Sequence, residues 1–229
     1  MYKRQIVGKT IDEVIWAWFK KILLVNDGSS DNTLEILEQK KAQHPQALII
    51  IASHTINRGG GAANQTWYNF VKKYWEKLWI KWFVWFDADG QMDIKDMQKF
   101  MQAINQHKTD IYLWSRFLHW SKAENMPLMR RIILWISRMV TLALYQSNVS
   151  DPHNWYKVIW LEALKKINIT ADGMHYANEV NEQIKKKKIQ YKEIPVHIRY
   201  TDYSLGKGQK NSNSIKLAVE MLYKKLFFR

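Results

Sequence analysis

Apolar residues fall into short unbroken runs separated by longer amphipathic stretches. Ile22-Leu23-Leu24-Val25, Ala47-Leu48-Ile49-Ile50-Ile51 and Trp82-Phe83-Val84-Trp85-Phe86 are continuous, the pattern of strands covered on both faces in a parallel sheet. Asp110-Ile111-Tyr112-Leu113 reads as a further strand. Tyr191 to Arg199 reads as another, interrupted by Pro195 and therefore at a sheet edge. Helical spacing occupies the intervals. Thr10 with Glu13, and Asn32 with Glu35, have capping-box spacing, while Met1 to Lys9 carries no clear element. Leu34 and Leu37 continue the second helix, which Pro45 closes. Further helices are expected from the Gly-rich stretch at Gly59 to about Lys77, over Met92–Asn105, Met129–Gln146, Leu161–Ile167 and Tyr176–Lys188, and finally over Ile215–Phe228 after a polar loop, Thr201–Asn213. Strands alternating with helices predict an α/β chain with a mostly parallel, doubly wound sheet. With no repeat or linker, residues 1–229 are expected to form one domain.

Such sheets bind ligands outside the carboxyl ends of their strands. Asp27, the pair Asp87 and Asp89, and Ser115-Arg116 all fall at that edge. If the extended form persists through Asp87-Ala88-Asp89, the two carboxylates point the same way, and a hard divalent cation with oxygen ligands, Mg2+ or Mn2+, relieves their repulsion. Taken alone, Asp-Ala-Asp-Gly is more often a solvated turn. Val25-Asn26-Asp27-Gly28-Ser29-Ser30-Asp31 places carboxylates and hydroxyls where a strand hands over to a helix, suited to a nucleobase or ribose or to an ordinary helix cap. Asn57-Arg58-Gly59-Gly60-Gly61-Ala62-Ala63 is a Gly-rich loop opening a helix, where backbone can approach an anion.

Composition narrows the classes. The 229 residues are 47% hydrophobic and 24% charged, a globular balance. No cysteine is present, which excludes disulfides, thiolate metal sites and a Cys nucleophile. No apolar run reaches the length of a membrane span. The formal net charge of +14 favours an anionic partner: nucleic acid, an anionic membrane surface or a phosphorylated substrate. One anomaly stands out. There are 12 Trp and only 9 Gly, where ordinary glycine usage gives about 16.

In this order and spacing, Asn-Asp-Gly-Ser-Ser-Asp, Asn-Arg-Gly-Gly-Gly-Ala-Ala and Phe-Asp-Ala-Asp-Gly-Gln resemble the family 2 glycosyltransferases of GT-A fold, most closely the dolichyl- and polyprenyl-phosphate sugar synthases. Ser115-Arg116-Phe117, Asp151 to Lys157 and the Pro195-Val196-His197 region agree. The resemblance runs from Thr10 onward. It implies a Rossmann-like three-layer sandwich and a GDP- or UDP-sugar donor held by Asp27, Gly28, Ser29, Asp31, Asn57, Gly59 and Gly61, together with Asp87, Ala88, Asp89 and Lys207. It implies a metal at Asp87 and Asp89 with Gln91. Asp151 and Arg116 become candidate catalytic residues, and Arg116, Arg130 and Arg131 candidates for an acceptor phosphate. Arg130 and Arg131 are equally readable as a solvated helix start, and Asp151 as a turn former. A polyprenyl phosphate acceptor implies an enzyme peripheral to the cytoplasmic face of the membrane, with room for a separate membrane subunit and no nucleic acid partner. Ile132 to Tyr145, flanked by Arg residues, suits either that surface or the core. A hydroxyl acceptor on a glycan and an inactive nucleotide-sugar-binding domain are the alternatives.

Two departures qualify the resemblance. Met1 to Gly8 stands where the family has an apolar strand ending in Pro-x-Tyr-Asn-Glu. Met-Tyr-Lys-Arg-Gln reads as a sequencing-library transposon end translated from a GTG start, so residues 1–8 are expected to be foreign or a truncated start. Trp114, Trp120 and Trp155 stand where the family has Gly, as Trp16, Trp18, Trp67, Trp135 and Trp160 are suspected to do. A UGA codon read as Trp by one translation table and as Gly by another would write such a chain.

Overall fold

The computed structural model describes residues 2–106, 109–153, 156–173, 176–201 and 205. Trp155, Lys207, most of the Thr201–Asn213 stretch and the expected C-terminal helix lie outside the described residues. The elements follow in the order α1 (Tyr2–Trp16), β1 (Lys21–Asn26), α2 (Thr33–Gln43), β2 (Leu48–Ser53), α3 (Gly60–Tyr74), β3 (Trp82–Trp85), α4 (Asp96–Gln106) and β4 (Ile111–Ser115). They continue through β5 (Lys122–Glu124), α5 (Leu128–Tyr145), β6 (Lys157–Trp160), α6 (Leu161–Lys166), α7 (Tyr176–Lys186), β7 (Tyr191–Pro195) and β8 (His197–Arg199).

The apolar runs are strands because most of their residues have an apolar layer to enter, Leu48 at the start of β2 being exposed. In β4, Ile111 and Leu113 face a core with Trp67, Tyr68 and Val71 of α3, Leu164 of α6 and Val180 of α7. Tyr112 and Trp114 face the opposite core, with Met97, Phe100 and Ile104 of α4. β6 divides Ile159 from Val158 between the same two layers. The result is the three-layer α/β sandwich that the resemblance implies.

The sheet departs from the expected pattern in two respects. It is mixed: β6 lies between β3 and β4, antiparallel to both, in the order β3-β6-β4-β7. Lys157-Val158-Ile159-Trp160 is too short beside the helix-forming Leu161 to Lys166 to be read as a strand from periodicity. It is also interrupted. β1 and β2 pair parallel as a sheet of their own, and a cavity of about 650 Å³ lined by residues of both β1 and β3 separates them from the larger sheet. β7 is the outer strand next to β4, as Pro195 requires, and β8 pairs parallel with the short β5.

Local capping differs too. α1 begins at Tyr2, so Thr10 lies inside it and bonds back to the Ile6 carbonyl at 2.9 Å, a bond that satisfies the hydroxyl without a cap. Asn32 makes no capping bond; its amide reaches Glu35 Oε2 at 3.0 Å, while Asp31 accepts the Thr33 N–H at 3.2 Å.

Candidate functional site

The carboxyl end of β1 and the Gly-rich loop are joined through Asp27. Its Oδ1 accepts from the Arg58 N–H at 3.1 Å and lies 2.7 Å from His54 Nδ1; its Oδ2 accepts from the Gly59 N–H at 2.7 Å. The Asn57 amide donates to the Asp27 carbonyl at 2.9 Å. Burial raises the carboxyl's pKa, but the His54 bond and the two backbone N–H groups outweigh it and leave the net value below the usual 3.8. Gly28 has φ +57°, and a Cβ there would lie 2.2 Å from the Ile56 carbonyl carbon. A Cβ on Gly61 would lie 1.9 Å from the Ala171 carbonyl oxygen. These contacts bring the 56–61 loop against both β1 and the 171–173 segment. Arg58 adds a fork to Asp172, with Nη2 at 2.9 and 3.0 Å from its two oxygens. Ser29 and Asp27 line the cavity, whereas Asp31 is exposed at the start of α2.

Across the cavity, β3 ends at Trp85, and Ala88-Asp89 form a turn. Asp87 and Asp89 are therefore brought together by that turn and not by strand alternation. The Trp85 indole N–H donates to Asp87 Oδ1 at 3.0 Å, and the Gln91 N–H to Asp89 Oδ1 at 2.9 Å. Burial, and then the charge of Asp89, push the Asp87 carboxyl up to about 7; burial also raises Asp89. Lys157, in β6 opposite Trp85, is only 8% exposed. Burial drives its amine down to about 8 against the attraction of Asp87. Two mutually repelling carboxylates, each oriented by N–H donors, are a fitting oxygen set for a hard divalent cation. Among the described residues no third acidic or imidazole ligand joins them.

Arg116 and Asp151 are brought together. Asp151 Oδ2 accepts from the Arg116 Nε at 2.7 Å and its backbone N–H at 3.0 Å, and Oδ1 accepts from Nη2 at 2.7 Å. The two side chains are 8% and 1% exposed. Arg116 Nη1 donates to the Tyr200 hydroxyl at 2.9 Å. Beneath them Ser115 Oγ contacts Ser150 Oγ, and Ser150 donates through its backbone N–H and hydroxyl to Glu193 Oε1 at 2.8 and 2.7 Å. His153, which contacts Ser137 of α5, is depressed to about 4 by burial.

The two arginines at the start of α5 separate. Arg130 lies with its guanidinium 5.4 Å from the Tyr200 ring centre, its charge favours ionised Asp89, and its buried Nε has no hydrogen-bond partner among the described residues. Arg131 is exposed. His54, Lys157, Glu193 and Tyr200 were not singled out from the sequence. Only Lys157, a cation opening an apolar strand, carried a signal there.

Comparison with known proteins identifies the family and the fold. The family model described as Glycosyl transferase family 2 matches residues 2–168. The chain is 28% identical over 227 residues to an uncharacterized protein of Methanocaldococcus jannaschii, covering 98% of this chain and 89% of that one. It is 27% identical to the UDP-N-acetylglucosamine–dolichyl-phosphate N-acetylglucosaminyltransferase of Methanococcus voltae, over 91% of this chain and 86% of that one. A similar fold occurs in glucosyl-3-phosphoglycerate synthase from Mycobacterium tuberculosis (TM-score 0.66, 11% identity, 97% of this chain and 76% of that one). It occurs also in a mannosyltransferase from Pyrobaculum calidifontis solved with GDP-Man and Mn2+ (TM-score 0.56, 11% identity, 98% and 67%).

Proposed function

Because the chain belongs to glycosyl transferase family 2 and is a glycosyltransferase, we propose that it moves a sugar from a nucleotide-sugar donor to a polyprenyl phosphate. The observation that carries the acceptor choice is the Asp151–Arg116 pair. A hydroxyl acceptor needs a base to take its proton, and both oxygens of Asp151 are already engaged by a buried guanidinium. A phosphate oxygen is ionised near neutral pH and needs no such base. It attacks the anomeric carbon as the bond to the nucleoside diphosphate breaks, and the enzyme's task is to bring two anions together.

In this reading Asp27 fixes the Gly-rich loop beside the donor, and Asp87 and Asp89, with Gln91, hold a divalent cation on its diphosphate. That cation would neutralise charge developing on the leaving group. Arg130 faces the acceptor phosphate, while Asp151 positions Arg116. Leu128, Met129, Ile132, Trp135 and Ile136 of α5 are all exposed, and Arg131 stands among them. Such a face suits contact with an anionic lipid surface, where a polyprenyl substrate is met. Among the described residues, no helix is long and apolar enough to cross a membrane.

The test is a panel of GDP- and UDP-sugars incubated with polyprenyl phosphate in detergent, with Mn2+ or with chelator. Metal-dependent formation of a polyprenyl-phosphate sugar is expected. Transfer to a glycan hydroxyl but not to the lipid would overturn the acceptor assignment.

A further inference from the structure

Three tryptophans have backbone that tryptophan does not favour. Trp18, Trp79 and Trp120 have φ of 72°, 53° and 73°, the left-handed region in which a Cβ crowds the following carbonyl. Each occupies a position with a specific backbone demand. After α1, the Phe19 N–H reaches the Val14 carbonyl at 3.4 Å and the Trp18 N–H reaches Ile15 at 3.0 Å. This pair of bonds is the Schellman closure of a helix, whose left-handed residue is usually glycine. After α3 the same pair recurs: Ile80 N–H to Trp75 at 2.8 Å and Trp79 N–H to Glu76 at 3.0 Å. At Leu118–Ser121 the closing bond is 3.1 Å, and Trp120 is the left-handed third residue of a type II turn, again a glycine position. The rings bury little in return. They are 85%, 86% and 82% exposed, and Trp120 stacks on its neighbour His119.

Two buried tryptophans are wrong for a different reason. The Trp114 ring centre lies 3.1 Å from that of Phe100, inside the 4.5–7 Å at which aromatic pairs settle. Trp67 buries an indole N–H without a hydrogen-bond partner among the described residues, and its ring centre is 3.9 Å from that of Tyr68. Other tryptophans fit their places. The Trp85 indole holds Asp87, Lys165 lies over the Trp75 ring at 4.3 Å, and Trp82 meets Phe19 edge-on at 6.2 Å.

We propose that the source cell places glycine at positions 18, 79 and 120, and at the crowded positions 67 and 114, while 75, 82 and 85 are tryptophan. The economical cause is a UGA codon translated as glycine at the first set and UGG at the second. The glycine deficit in the composition has the same origin. Positions 114 and 120 flank Ser115-Arg116-Phe117, so the loop carrying Arg116 depends most on the correction.

Reading the gene, and sequencing peptides of the protein purified from its source, tests the assignment. The expected result is UGA at codons 18, 79 and 120 with glycine in the peptides spanning residues 78–81 and 117–122, and UGG at codons 75, 82 and 85. Tryptophan in either peptide, or UGG at codon 18, 79 or 120, overturns it. Recombinant chain gives an independent reading. Trp18→Gly and Trp79→Gly should each raise the melting temperature by about 2–4 °C, the opposite of Trp82→Gly. A fall at positions 18 and 79 refutes the backbone argument.

Discussion

Replacing Asp151 with Asn separates the two roles open to that carboxylate. The substitution keeps the shape and removes the charge, leaving Arg116 ionised and 8% exposed with its partner neutral. Removing one member of a buried pair costs about 3–5 kcal/mol, mostly because the other is left uncompensated. In a chain of this size each kcal/mol lowers the melting temperature by about 2–4 °C, so Asp151→Asn should melt roughly 6–20 °C below the parent. Arg116→Gln added to it should recover part of that loss, since the remaining pair is neutral. Thermal or urea unfolding of the four proteins of the cycle measures both quantities, and the transfer assay run below the lower melting point measures the chemistry. An Asp151→Asn protein as stable as the parent, yet unable to transfer sugar, would refute the positioning role and restore Asp151 as a general base.

Asp27 is held below 3.8 in the folded chain, so its stabilisation is present above that value and is lost as pH falls through the lowered one; Asp27→Asn should flatten the acid limb of a melting-temperature profile, and an unchanged limb argues against the loop anchor. Gly61→Ala pushes a methyl group into the Ala171 carbonyl and should cost about 1–3 kcal/mol, read by urea unfolding. Lys157→Met removes the buried cation facing Asp87 and should change Mn2+ affinity measured by electron paramagnetic resonance, with Lys157→Arg closer to the parent. Ile132→Ser with Trp135→Ser should reduce sedimentation with anionic vesicles while leaving the melting temperature within about 1 °C, because exposed apolar side chains contribute little to folding.

Most strands legible in the sequence were those with apolar residues on both faces. Their apolar runs needed no partner to be recognised, and Pro195 marked the outer strand correctly. β6 was hidden because four residues set no period, and its antiparallel placement is a tertiary choice. The interrupted sheet was hidden for a related reason: a strand's own residues do not say which edge is paired. At the site, the Asp27, Gly59 and Asp87 segments were visible as chain order and spacing. What spacing does not encode is who meets whom across about thirty residues or more: His54 with Asp27, Lys157 beside Asp87, and Arg116 locked to Asp151. Thr10 and Asn32 show the converse, capping signatures whose side chains found other bonds.

The cavity between β1 and β3 also divides the molecule mechanically. Neither strand hydrogen-bonds to the other across it, so the β1–β2 unit and its two helices can open without first breaking a sheet ladder, and amide exchange there should precede exchange in β4 and β6. Asp27 and Ser29 stand on one bank, and Asp87 and Ala88 on the other. A ligand reaching both banks closes the seam, and its binding free energy then appears directly as added resistance to unfolding. Under the proposed function that ligand is the sugar donor, and the measure of its affinity is how far it slows exchange in a strand it need not touch, β2.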